Sequence, residues 1–206
     1  MNQYDIVFIG NMGTGTIVPF EGSPFVEQAS PVVMAAMAAS CLGKRIAAVT
    51  KISESEACLL DPLKAAGIDL FVRPGEIADI RVVFPTANVD ERQPFVVKVG
   101  ASLRSDDVPP LEPCLIHLCY FGLRDVQLDL MRALNRRGFR LSVDMQGLVL
   151  QADETGAVHL VDVPEKKEIL SMAQFVKVDA MEAQILTGAK HLQEQAVSFI
   201  QQTPQH

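Results

Sequence analysis

Two segments decide the fold class: Val143-Asp144-Met145-Gln146-Gly147 and Val176-Lys177-Val178-Asp179-Ala180-Met181-Glu182. In each of them, a short run with β-branched residues ends at an acidic side chain. A helical pattern precedes each segment, at residues 125–137 and at residues 165–173. Strands therefore alternate with helices, which is typical of βαβ units around a parallel sheet. The sequence predicts an α/β fold.

The same alternation continues toward the amino terminus. Residues 4–10 are a predicted strand, and the next helix begins at Ser30-Pro31, because serine favours the N-cap and proline the first helical position. Gly43 is predicted to end this helix. The other predicted strands are residues 45–49, 114–121, 140–144, 158–163 and 175–178, and the other predicted helices are residues 54–66, 180–186 and 189–202.

The middle of the chain has a different pattern. Residues 69–105 contain the short β-prone runs Leu70-Phe71-Val72, 80–84 and 95–99 without a helical period. This pattern predicts a small antiparallel lid of residues 69–105, inserted into an α/β core of residues 1–68 and 106–206. Flat strands leave unpaired edges that need a cover, so we also expect a homodimer through the lid.

Composition and charge exclude several functions. The net charge is −7, whereas nucleic-acid binding requires clustered Lys and Arg. No apolar run reaches the roughly 18–20 residues that span a bilayer. Residues 1–9 show no basic leader, so we expect a cytoplasmic protein. The four cysteines lie in apolar segments without Cys-x-x-Cys spacing, which predicts reduced, buried thiols.

A dinucleotide-binding domain is one alternative. It is suggested by Gly10-Asn11-Met12-Gly13-Thr14-Gly15, which follows the first predicted strand. We reject it because Thr16-Ile17-Val18-Pro19 stands where a helix should begin, and no acidic residue ends the second strand.

The order of these features resembles the ribokinase-like (PfkB-type) carbohydrate and nucleoside kinases, over essentially the whole chain. Residues 143–147 are similar to the family's Asp-x-Gln-Gly, and residues 176–182 to its Lys-x-Asn-x-x-Glu. Leu186-Thr187-Gly188 matches the family's Leu-Thr-Gly, and Ile116-His117-Leu118 is similar to its Val-His-Leu strand. The resemblance implies a mostly parallel central sheet flanked by helices, with a small β-rich lid. It also implies ATP-dependent phosphoryl transfer to a hydroxyl group of a small sugar or nucleoside, with ATP and Mg²⁺ as cofactors.

The resemblance assigns Asp144, Asp179 and Glu182 to a phosphate and magnesium site without a direct metal ligand. In the family, an Asn and a Glu position water around Mg²⁺ and the phosphates, and Asp179 replaces that Asn here. A structural alternative stays open for each residue. Asp179 followed by Glu182 is also close to a capping box, and Asp144 can form a local turn with Gln146 and Gly147.

The substrate motifs of the family are largely replaced. Gly13-Thr14-Gly15-Thr16 stands where the family has an Asp, Ala29-Ser30 with Met34 where it has Gly-Gly and Asn, and residues 49–53 lack its Gly-x-x-Gly-Asp. These losses favour a ligand with fewer hydroxyl groups than a ribose-type sugar. Each remaining substrate candidate has a structural alternative, and they are Thr14, Thr16, Ser30, Lys51, Asn88 and Arg92.

The catalytic base of the family lies in a segment Asp-Thr-x-Gly-x-Gly-Asp, and none of the 13 glycines stands in a Gly-x-Gly-Asp context. We therefore expect no catalytic residue among these 206 residues, and a chain that is incomplete and inactive by itself. The competing hypothesis is a non-catalytic protein that binds a small ligand or a partner on the same scaffold.

Overall fold

A computed structural model describes residues 3–27, 30–123 and 126–202. Two predictions include a residue outside these ranges: residue 29 of the substrate motif Ala29-Ser30, and residue 125 of the helix predicted for residues 125–137. The central sheet is entirely parallel, which confirms the predicted α/β class. Its strand order is β12 (Ala173–Lys177), β9 (Arg140–Asp144), β8 (Leu115–Leu118), β1 (Ile6–Ile9), β4 (Ile46–Ile52) and β5 (Asp69–Pro74).

Helices pack on both faces of this sheet. On one face, Phe8 of β1 shares a hydrophobic cluster with Val32 and Leu63 of the first two helices. On the other face, Val7 shares a cluster with Leu130 and Ile169 of the third and fifth helices. The helices are α1 (Pro31–Ser40), α2 (Asp61–Ala65), α3 (Leu128–Arg136), α4 (Gln146–Val149), α5 (Lys166–Met172), α6 (Ala180–Thr187) and α7 (Leu192–Gln202).

One predicted helix is divided in two. Residues 54–66 contain a 3-10 helix, Glu54–Leu60, followed by the short α2. Pro62 lies in the first turn of α2, where its missing N–H is tolerated, whereas the same proline inside a continuous helix would remove a hydrogen bond.

A separate sheet of four strands, called the small sheet below, lies beside the central one. Its order is β3 (Phe25–Glu27), β2 (Gly13–Val18), β6 (Ala78–Val83) and β7 (Gln93–Lys98). It differs from the predicted lid in three respects. Residues 13–27 supply two strands that were not predicted, β2 runs parallel to β6, and Leu70-Phe71-Val72 belongs to β5 of the central sheet.

Packing explains the position of β5. The Phe71 ring meets the Tyr4 ring edge-on, with 6.1 Å between centroids. Tyr4 Oη also donates a hydrogen bond of 2.7 Å to Asp69 Oδ2. Both contacts join β5 to the segment before β1. Tyr4 and Asp69 are 65 positions apart in the sequence, so a local sequence pattern does not predict their contact.

A hairpin of β10 (Leu150–Ala152) and β11 (Val158–Leu160) covers one edge of the small sheet. The Val96 amide of β7 donates a hydrogen bond of 2.8 Å to the Gly156 carbonyl oxygen. A predicted strand at residues 158–163 is thus present over its first three residues. The opposite edge of the small sheet is formed by β3.

All four cysteines are free thiols, but the prediction that all are buried is wrong. Cys41 and Cys58 are exposed, the first at the end of α1 and the second in the 3-10 helix Glu54–Leu60. Cys119 is buried. Cys114 is partly buried, and its own burial raises the pKa of its thiol to about 11.

No helix in the described ranges is both long and apolar enough to cross a membrane.

Candidate functional site

The topological switch point of the central sheet lies between the carboxyl ends of β1 and β8, and the space just outside these two ends is called the crevice below. From β1, the chain fills one side of the sheet with β4 and β5, and then returns to place β8, β9 and β12 on the other side. Open α/β sheets bind ligands at such a point. The two strand ends approach closely here, since a Cβ atom at Gly10 would lie 2.7 Å from the Cys119 carbonyl oxygen.

Asn11 occupies this crevice, and the sequence analysis missed it as a site residue. Its side chain is 1% exposed, and Nδ2 donates a short hydrogen bond to the Ala101 carbonyl oxygen. Oδ1 is buried and has no hydrogen-bond partner among the described residues. A buried acceptor without a partner costs about 1–3 kcal/mol, so Asn11 is a candidate to accept a hydrogen bond from a ligand. The available signal was a polar residue directly after a buried strand.

Glycines of β2 face the carboxyl end of β8. A Cβ atom at Gly13 would lie 2.0 Å from the Phe121 ring, so this face of the small sheet is directed toward Phe121. Because side chains alternate along a strand, Gly15 shares this face, whereas Thr14 and Thr16 lie on the opposite one. The Thr14 hydroxyl donates a hydrogen bond of 3.1 Å to Asp79 Oδ1. The structure therefore separates both threonines from the face that Phe121 contacts.

Ser30 and Lys51 lie close to this crevice. Ser30 is buried at the N-cap of α1, with its Oγ 3.5 Å from Met12 Sδ. Lys51 Nζ forms an ion pair of 2.8 Å with Asp107 Oδ2 and donates a hydrogen bond of 3.0 Å to the Ser102 carbonyl oxygen. Lys51 contacts the Ser102 carbonyl oxygen, and Asn11 contacts that of the preceding residue, Ala101. Both side chains therefore hold the same segment.

Asn88 and Arg92 lie in the turn between β6 and β7. Both are exposed, and the Asn88 side chain accepts a hydrogen bond of 3.1 Å from the Asp90 amide. This turn follows the end of β6 that is paired with Val18, whereas Gly13 lies at the other end of the same strand pair. Five residue steps of about 3.3 Å separate the two ends by roughly 16 Å, so the structure does not bring Asn88 and Arg92 to the crevice.

The three acidic candidates meet at the carboxyl ends of β9 and β12. Asp144 and Lys177 are opposite each other in the strand register, and Lys177 Nζ lies 3.2 Å from each Asp144 carboxylate oxygen. The Gln146 amide also donates to Asp144 Oδ1 at 3.2 Å. The local turn predicted for Asp144 is therefore present, together with a cation, Lys177, that was not predicted as a site residue.

Asp179 and Glu182 form the predicted capping box at the start of α6. The Glu182 amide donates to Asp179 Oδ1 at 2.8 Å, and the Asp179 amide donates to Glu182 Oε2 at 2.9 Å. Glu182 is 3% exposed. Burial raises the pKa of Glu182, the Asp179 amide and Lys177 lower it, and the charges of Asp179 and Asp144 raise it further.

This cluster of Asp144, Lys177, Asp179 and Glu182 places one exposed cation beside a carboxylate at a strand end. The Lys177 side chain is 55% exposed, whereas that of Asp144 is 10% exposed. Lys177 can therefore reach an anionic group in solvent while Asp144 stays fixed. In the part of the chain that the structure describes, no group of three His, Cys, Asp or Glu side chains is arranged to hold a metal ion.

Several solved structures share this architecture. A pyrophosphate-dependent kinase in the ribokinase family, solved as a sulfate complex, matches 96% of this chain and 70% of its own, with a TM-score of 0.86 and 23% identity. A pyrophosphate-dependent kinase in that family, complexed with a pyrophosphate analog and myo-inositol, matches 98% and 73%, with a TM-score of 0.86 and 22% identity. Ribokinase of Arabidopsis thaliana, complexed with ribose and ATP, matches 98% and 69%, with a TM-score of 0.64 and 13% identity.

Neither the protein-family models nor the curated proteins give a match. The structural likeness is extensive, because it covers 96–98% of this chain in these three comparisons. The chain therefore has a ribokinase-like fold, with a parallel six-stranded sheet, flanking helices and a separate small sheet.

Proposed function

We propose that this chain is the acceptor- and phosphate-binding part of a kinase that phosphorylates a hydroxyl group of a small sugar, nucleoside or cyclitol. The observation that carries the proposal is the position of Asn11. Its unpaired, buried Oδ1 lies at the switch point, at the same carboxyl edge of the sheet as Lys177 and the acidic cluster. The structural neighbours bind ribose or myo-inositol, which supports an acceptor of this size.

The donor in this proposal is a polyphosphate, either ATP or pyrophosphate. The neighbours include an ATP complex and pyrophosphate-dependent kinases, so both donors have support. Lys177 would contact a phosphate oxygen, because it is cationic and largely exposed. When bound, Mg²⁺ would neutralise phosphate charge. Asp144, Asp179 and Glu182 would order water around it, because their carboxylates lie together at the carboxyl ends of β9 and β12, beside Lys177.

The catalytic base is proposed to lie outside residues 1–206. Phosphoryl transfer needs a base in line with the transferred group, and the resemblance assigns that base to a glycine-rich segment that these residues lack. The chain alone is then expected to phosphorylate neither ribose, adenosine nor myo-inositol with ATP or pyrophosphate. Turnover by the purified chain would contradict this location of the base.

Binding tests the acceptor site directly. We expect Asn11→Ala to weaken binding of the best of these three probes at least tenfold, about 1.4 kcal/mol, because alanine has no oxygen to accept a hydrogen bond from the ligand. Thr16→Val is the matched control, since Thr16 lies on the opposite face of β2, and it should change the affinity by less than about twofold. Isothermal calorimetry measures both. Equal affinities for Asn11→Ala and the unchanged chain would refute the role of Asn11.

A non-catalytic binding protein on this scaffold remains the second candidate. The replaced substrate motifs and the missing base segment favour it. Extension of the chain by a base-containing segment separates the two candidates, because only a kinase would then transfer phosphate. For either candidate we propose the cytoplasm as the compartment, which four unpaired thiols support.

A further inference from the structure

The two faces of the small sheet differ in polarity. Residues that are opposite each other in the strand register share a face, and successive residues alternate between faces. The face that meets Phe121, called the Phe121 face below, carries from β2, β6 and β7 only glycine and apolar residues among the paired positions: Gly13, Gly15, Ile17, Ala78, Ile80, Val82, Pro94 and Val96. The opposite face includes the polar residues Thr14, Thr16, Asp79 and Arg81. A ligand on the Phe121 face therefore meets no polar side chain from the paired residues of these three strands.

The fourth strand, β3, adds one carboxylate to the Phe121 face. Glu27 is directly opposite Gly15 in the antiparallel register, whereas Val26 is opposite Thr16. Glu27 therefore shares the face of Gly15, and Val26 shares that of Thr16. Glu27 is exposed, and no hydrogen bond or ion pair holds its carboxylate within the ranges that the structure describes. Its two carboxylate oxygens are therefore available to a ligand.

Gly15 leaves room beside Glu27. A Cβ atom at Gly15 would meet its nearest atom, Ile80 Cγ1, at 3.7 Å, which is an ordinary contact. Side chains of directly opposite residues are neighbours, so the Glu27 carboxylate can extend over this glycine. Asn11, with its buried and unpaired Oδ1, stands four residues before Gly15, at most about 13 Å away at 3.3 Å per residue. One small molecule can span this distance and reach both side chains.

We infer that Glu27 binds the acceptor molecule and determines which acceptors fit, an inference that rests on the acceptor site proposed above. The Glu27 carboxylate accepts hydrogen bonds at one end of the acceptor, and Asn11 Oδ1 accepts one at the other end. Between them, the acceptor lies on Gly15 and Ile80, which offer only apolar contact. Both protein groups are hydrogen-bond acceptors, so the acceptor class is an alcohol with O–H donors at both ends and a C–H face in the middle.

Removal of the carboxylate tests this role. Glu27→Ala should weaken binding of the best bound of ribose, adenosine and myo-inositol at least tenfold, because hydrogen bonds to a charged group are the stronger ones. Glu21→Ala is the matched control, since Glu21 is an exposed glutamate in the loop between β2 and β3, and its affinity should stay unchanged. Isothermal calorimetry measures the affinities. Thermal unfolding should give the same midpoint for both variants and the unchanged chain, because Glu27 holds no other residue.

Relocation of the carboxylate separates direct contact from an indirect effect. In the Glu27→Ala background, Gly15→Asp places a carboxylate on the Phe121 face from the neighbouring strand and should restore most of the lost affinity, because Gly15 has no positive φ and has room for a side chain. Thr16→Asp in the same background places it on the opposite face and should restore none.

Two results would overturn the role of Glu27 alone: an unchanged affinity of Glu27→Ala while Asn11→Ala loses affinity, or equal rescue by the two aspartates. If none of the three probes bound to the unchanged chain, the proposed acceptor site would be refuted, and the role of Glu27 with it.

Discussion

Two glycines of β2 differ in what a side chain would meet, although they share one face of the strand. A methyl group at Gly13 would overlap the Phe121 ring, whereas one at Gly15 would meet its nearest atom, Ile80 Cγ1, at 3.7 Å. Neither glycine has a positive φ. Gly13 is therefore required by packing. Gly15 is not, and a glycine in a strand interior without such a need can mark the close approach of a ligand.

Substitution of Gly13 or Gly15 by alanine should change the stability of the fold in opposite directions. Gly15→Ala should raise the free energy of unfolding by about 0.5–1 kcal/mol, because alanine loses less backbone entropy on folding. Gly13→Ala should lower it by about 1–3 kcal/mol, because the ring must move. Thermal unfolding of both variants measures the difference. Equal effects of the two substitutions would contradict the contact with Phe121.

Glu182 provides a prediction about pH. Burial raises its pKa in the folded chain, so its contribution to stability is fully present below the unfolded pKa of about 4.3 and is lost as the pH rises through the folded pKa. Glu182→Gln removes this loss and keeps an acceptor for the Asp179 amide. The variant should therefore gain stability relative to the unchanged chain between pH 4 and pH 7. Urea unfolding at both pH values checks this, and a constant difference would argue against it.

At the scale of the element, the start of α6 depends on its cap. Asp179→Ala should lower the free energy of unfolding by about 1 kcal/mol, because the Glu182 amide loses its acceptor. Asp179→Asn should be nearly neutral, since asparagine caps a helix about as well as aspartate. Chemical unfolding distinguishes the two. A loss of the same size in both variants would show that the carboxylate charge, rather than the cap, stabilises α6.

Long-range contacts determine how the connecting segments are held. Lys51 at the end of β4 is paired with Asp107, and Asn11 after β1 contacts Ala101, so two strand ends hold residues 101–107 near the switch point. The alternation of strands and helices predicted β4 and β8 from local sequence. It did not predict this connection, because the partners are 56 and 90 residues apart.

At the scale of the whole molecule, the small sheet has its own free edge. We propose that β3 pairs with β3 of a second chain, because Phe25 and Val26 are more than half exposed, while the hairpin covers the edge at β7. Val26→Lys should then convert a dimer into a monomer, and Phe175→Lys, at the edge of the other sheet, should not. Sedimentation velocity reports both. A monomeric unchanged chain would exclude this dimer.

The sequence by itself determined the α/β class, the strands β8, β9 and β12, the capping box of α6 and the turn at Asp144. Each of these depends on residues a few positions apart, so local periodicity and capping preferences are sufficient to predict them. Only the tertiary structure decided that Leu70-Phe71-Val72 joins the central sheet, that Gly13–Val18 forms a strand, and that Asn11 is buried with an unpaired oxygen. Strand pairing and burial are set by partners far along the chain, and the same short apolar or glycine-containing run fits more than one partner.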